Sequence, residues 1–156
     1  MAIKKYYATK DNSITNAFRD GLVTRGTGSN MGQSDILETF SIYGQETSSS
    51  VELQRILIEF DVDQIINDRN SNLIPSAGGV NFVLKLCNAR HGETLPRNYD
   101  LQVLAVSASW QEGIGLDMDD YSDLTYNQKG SNWIKRSGSV SWTTAGGDYH
   151  ASPVFT

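Results

Sequence analysis

From Val51 to Val62 the chain reads VELQRILIEFDV, with Leu53, Arg55, Leu57 and Glu59 on one parity and Gln54, Ile56, Ile58, Phe60 and Val62 on the other. Successive side chains of a strand point to opposite faces, so this run predicts a strand whose second set is buried. The alternation recurs in ILETFSIYG from Ile36, in VNFVLKLCNA with Phe82, Leu84 and Leu86 in phase, and in YDLQVLAVSASW with Leu101, Val103 and Ala105 in phase. No apolar period of 3.6 residues is sustained anywhere, and no internal repeat is visible. Strands bounded by Gly, Ser and Asn clusters with almost no helix predict an all-β chain, an antiparallel β-sandwich of jelly-roll type.

Finer expectations follow from the punctuation between these runs. Residues 1–20 read as a short strand, a turn at the DNS triplet Asp11 to Ser13, and a second piece. TRGTGSNMGQSD, Thr24 to Asp35, is a loop, because its residues tolerate positive φ or cap turns. A single helical turn fits Asp63 to Asp68. HGETLPRN is turn chemistry, which makes the strands on either side of it neighbours in a hairpin-like connection. Beyond Trp110 a long loop gives way to the short strand-like pieces SNWI, SVSWTT and SPVFT.

The chain of 156 residues suits one domain, 1–156. Its net charge of −5 disfavours nucleic acid, whose binding rests on clustered Lys and Arg. No apolar run approaches membrane-spanning length, and MAIKKYYATKDN lacks the apolar core of a secretory signal, so no membrane association is expected and synthesis in the cytoplasm fits. Cys87 is the one cysteine, which excludes an intrachain disulfide; its place in an alternating run predicts a buried structural thiol.

The densest charge is WQEGIGLDMDDYSD, Trp110 to Asp123, with five carboxylates and no basic residue. Asp117, Asp119, Asp120 and Asp123, with Glu112, could supply oxygen ligands to calcium, although the spacing is not that of an EF-hand. The alternative is a solvated loop whose Asp side chains hold turns through backbone N–H groups. Trp133, Trp142, Tyr121, Tyr126 and Tyr149 could form a sugar-stacking platform, or could be core plugs and contacts to a partner chain. Arg55, between the apolar Leu53 and Leu57 of its own parity, should pair with Asp61 or Glu112 if it points inward, as a structural pin.

Catalysis is not expected. The chain has no nucleophile elbow, and its eighteen acidic residues make some suitably spaced pair inevitable, so a pair alone says nothing. His91 and His150 lack metal-ligand spacing and read as exposed polar residues. GTGSNMG has neither the Lys-Ser or Lys-Thr nor the helix that a phosphate loop needs.

Three pieces in order resemble one family. GSNMGQSDIL is similar to an Asn-aromatic-Gly loop followed by a strand, with Met31 in the aromatic position. RILIEFDVDQI is similar to an Arg-Leu-Leu-x-Phe-Asp strand, matching at Arg55, Phe60 and Asp61. SASWQEG is similar to a Trp-x-Glu ending, matching at Trp110 and Glu112. Spanning about residues 28 to 113, they resemble DNRLRE-type domains, β-sandwiches akin to carbohydrate-binding modules. A narrower resemblance, in EGIGLDMDDYSD, GSNWI and the later Trp-Thr and Gly-Gly-Asp-Tyr, is to structural proteins of tailed bacteriophages, marine ones in particular. The family's further Trp-Gly strand has no counterpart before Thr156, so more chain or a neighbouring chain is expected to complete the sandwich by strand addition.

These resemblances imply a non-enzymatic virion component, a capsid decoration, neck or tail-fibre protein. Its expected partners are other virion proteins in a homo-oligomer or multicopy assembly, without a cofactor unless calcium fills the acidic run. The alternative is a carbohydrate-binding module that attaches to a host-surface glycan.

Overall fold

The computed structural model describes residues 3–20, 23–39, 52–75, 78–92, 101–116 and 129–151, with the side chains of 19 and 20 excepted. The chain divides by contact into two compact units. One holds Met1–Thr9 and Glu59–Tyr99; the other holds Lys10–Ile58 and Asp100–Thr156. Among the described residues the regular structure is mostly strand, with one short helix.

Strand β1 spans Ala8–Thr15, β2 Phe18–Asp20, β3 Thr24–Arg25 and β4 Gln54–Phe60; helix α1 spans Val62–Asn70. β1 pairs with β4, and β2 with β3. Thr9 Oγ1 donates to the Glu59 carbonyl and Asn16 N to that of Leu53, so the numbers rise along one strand as they fall along the other and the first pair runs antiparallel. β2 and β3 are antiparallel too, with an irregularity between Phe18 and Asp20, and the Arg25 guanidinium lies 4.0 Å from the Phe18 ring centre.

β1 runs straight through the DNS triplet that reads as a turn. Asn12, Ser13, Ile14 and Thr15 are all buried, and the polar side chain of Asn12 is satisfied by partners distant in sequence. β4 is found where it was expected but with the other parity inward. Leu57 is 5% exposed while Ile56 and Val62 are 37% and 60% exposed. Both parities of the run carry large apolar side chains, so alternation alone could not choose the face. Leu57 packs with Ile14, Trp110, Trp133 and Trp142 in one core cluster.

α1 begins with Asp61 as its N-cap, in extended conformation, accepting from Gln64 N at 3.3 Å. Asp63 in the first turn and Arg69 in the last both suit the helix dipole. Its end is a Schellman motif: Asn72 takes a left-handed φ of 57°, Asn72 N donates to the Arg69 carbonyl and Leu73 N to that of Asp68. This closure carries the helix past the single turn expected from the sequence. Asp68 accepts from the Tyr6 hydroxyl at 2.7 Å and pairs with Lys4 at 3.0 Å, which ties the N-terminal segment to the helix. These bonds hold the Asp68 carboxyl below the usual carboxylate range.

The two alternating runs after α1 form no strand among their described residues. Every side chain from 81 to 88 is exposed, Cys87 included, so the thiol is not the buried one expected. Residues 105–107 pair instead with 148–150, through the Val106–Tyr149 bridge, Ser107 N to the Asp148 carbonyl and His150 N to that of Ala105. The partner is more than forty residues away, a long-range contact that turn chemistry at HGETLPRN gave no means of seeing. Ile36 to Thr39 is likewise outside any strand, and Phe40 to Gly44, together with SPVFT after Ala151, lie outside the described residues. No helix among the described residues is long and apolar enough to cross a membrane.

Candidate functional site

Three segments, 27–33, 111–116 and 130–135, are joined mainly through asparagine. Asn12 Nδ2 donates to the Ser131 carbonyl at 3.0 Å and to Ser131 Oγ at 2.8 Å, while its Oδ1 accepts from Met31 N at 2.8 Å. Asn30 Oδ1 accepts from Gly115 N at 2.8 Å and Gly32 N at 3.3 Å. Gln33 N then donates to the Gly115 carbonyl, and Ser131 N to that of Gln111. Asn132 Oδ1 caps Ile134 N and Lys135 N, and its carbonyl accepts from Trp142 Nε1 at 2.8 Å. Asparagine offers both donors and an acceptor in one short side chain, which lets a single residue satisfy two backbones at once.

Glycine sets the closeness of these segments. A Cβ on Gly115 would collide with the Asn30 carbonyl, and Gly130, at φ 97°, lies against the backbone of Gly113. Asn30, Met31 and Ser131 are buried in this contact. The buried Met31 stands where the resemblance has an aromatic residue, and its neighbour Gly32 also faces the Glu112 carbonyl too closely for a side chain.

Beside the anchor lies an open groove of about 330 Å³, lined by Met31, Gln33, Ser34, Asp35, Ile36, Glu38 and Leu116. Ile36 and Leu116 give it exposed apolar surface, and the carboxylates of Asp35 and Glu38 border it. On the other flank Glu112 Oε1 accepts from Asp11 N at 3.0 Å. Burial first, and then the Glu112 charge, push the Asp11 carboxyl above the usual carboxylate range. Since a raised folded pKa means that the ionised form is disfavoured in the fold, Asp11→Asn should stabilise the protein at pH 7. That gain should shrink as the pH falls through the folded and then the unfolded carboxyl pKa, about 3.9 for the latter. Melting temperatures of both proteins from pH 3 to 7 check it; a constant or reversed difference would refute the assignment.

The structure separates the residues singled out by sequence. Trp110, Trp133 and Trp142 are all in the core, so neither Trp133 nor Trp142 offers an open ring face to a sugar. Tyr149 remains 40% exposed. Arg55 takes no carboxylate from Asp61 or Glu112. Its Nη1 donates to the Gly146 carbonyl at 2.5 Å, and its guanidinium lies 5.1 Å from the Trp133 ring centre and 4.8 Å from that of Tyr149. Ring faces and a carbonyl can stabilise a half-buried guanidinium without a carboxylate counter-charge. Asp61 serves as helix cap and Glu112 as backbone acceptor.

Asp117, Asp119, Asp120, Asp123, Tyr121 and Tyr126 lie outside the described residues. Among the described residues no group of three or more metal-ligating side chains comes together. His91 and His150 are exposed. The residues that sequence reasoning missed are Asn12, Asn30 and Asn132. The recurrence of glycine at 113 and 115, within the acidic run, and at 130, after it, was the available signal of a close backbone crossing.

No protein-family model, no curated protein and no solved structure matches this chain.

Proposed function

We propose that the chain is a non-enzymatic structural component of a tailed-phage virion, a capsid decoration, neck or tail-fibre protein, that works through protein–protein contacts. The observation that carries this reading is the unbroken exposure of residues 81–88, which include Phe82, Val83, Leu84 and Leu86. Single exposed apolar residues are ordinary, whereas a contiguous strip with strand-forming composition favours a surface covered in assembly. In this reading a neighbouring chain covers the strip, and the jelly-roll sandwich is completed in the assembly. The asparagine contacts then fix the described segments that precede and follow the carboxylates of Asp117 to Asp123 in sequence, and calcium bound by those carboxylates could join neighbours.

Native mass spectrometry and light scattering on the purified 156-residue chain, with and without calcium, test the proposal. Multimers that grow with concentration are expected, with a calcium-dependent mass step if the acidic run holds the ion. A folded monomer at every concentration, indifferent to calcium and to other virion proteins, would overturn it.

A further inference from the structure

The assembly reading leaves open which surface meets the exposed strip, and the charges on the two surfaces narrow the choice. From Gly78 to Gly92 the sequence carries Lys85, Arg90 and His91 and no carboxylate, within a chain of net charge −5. Phe82 is 55% exposed and Val83 83%. The strip is therefore apolar and cationic together. The groove beside the asparagine anchor has the opposite character. Its apolar lining comes from Met31, Ile36 and Leu116, the last two half-exposed, and Asp35 and Glu38 border it.

We propose that the groove of one copy receives the strip around Phe82 to Arg90 of a second copy, head to tail; this rests on the assembly reading and names its partner. Were the strip extended in the contact, Phe82, Leu84 and Leu86 would share one face and cover Ile36 and Leu116. The Lys85 stem is long enough to lie along apolar surface and carry its ammonium to the rim. Pairing of the strip with itself would instead bring cations from both copies together in a contact without a carboxylate, which disfavours the symmetric alternative. Each copy presents both halves of a head-to-tail contact, so it repeats until a ring closes or a filament extends.

The test compares three forms of the full chain by sedimentation and native mass spectrometry: wild type, Lys85→Glu with Arg90→Glu, and Asp35→Lys with Glu38→Lys. Wild type should self-associate, and less so as salt rises. Each reversed form should associate about 100-fold more weakly or worse, because like charges that face each other across an interface cost several kcal/mol. An equimolar mixture of the two reversed forms should regain the multimer, a recovery that a contact within one chain cannot give. Asp35→Lys alone serves if the double change in the groove alters the far-ultraviolet circular dichroism. Reversed forms that associate like wild type would overturn this contact and leave the assembly reading standing, as would a mixture that stays dissociated. A wild-type chain that stays monomeric at low salt and high concentration overturns this contact too. Should that monomer also bind no other virion protein, the assembly reading falls with it.

Discussion

Asn12→Ala should destabilise the second unit by about 4 kcal/mol, since it removes the partner of two buried backbone groups at about 1–3 kcal/mol each. The groups are Met31 N–H and the Ser131 carbonyl, and both residues are essentially inaccessible. Loss of the bond to Ser131 Oγ adds to the cost. Thr9→Ala, which deletes an exposed hydroxyl's bond to the Glu59 carbonyl, should change stability by no more than about 0.5 kcal/mol. Urea denaturation of the three proteins checks both values. A loss below about 1 kcal/mol for Asn12→Ala would mean that the segments around the acidic run are held by something other than asparagine.

Gly115→Ala is the second large effect expected. The added methyl group would fall on the Asn30 carbonyl, a backbone atom that cannot swing aside as a flexible side chain could. Overpacking of this kind costs about 1–3 kcal/mol, and here the upper end applies because Asn30 also supplies the acceptor for Gly115 N. Gly92→Ala has open space around it and should stay within about 0.5 kcal/mol of wild type. Equal losses at the two positions would show that the close crossing does not exist in solution.

How much of this was legible in the sequence depends on whether one residue type had one local meaning. The strand at Gln54–Phe60 was visible because a period of two is a local property. Its buried face was not, since Ile56, Leu57 and Ile58 are all apolar and only the position of the tryptophan core chooses among them. Asn12 and Ser13 read as a turn because short polar side chains usually bond their own backbone. Here the Asn12 amide bonds residues 19 and 119 positions away, which no local rule can anticipate. Asp61 and Glu112 read as partners for Arg55 and neither is one, because a guanidinium is stabilised by ring faces and carbonyls as readily as by carboxylates. At the site itself the glycines were in plain view, while the asparagines they bring together acquire their meaning only once three distant segments meet.

The tryptophan core also divides the chain optically. All three tryptophans fall within the unit of Lys10–Ile58 and Asp100–Thr156, whereas α1, the one helix among the described residues, belongs to the other unit. Intrinsic fluorescence thus reports the melting of one unit, and the helical band of circular dichroism reports chiefly the other. Transitions that coincide by the two probes would mark a single cooperative fold, and transitions that separate would measure two stabilities in one sample.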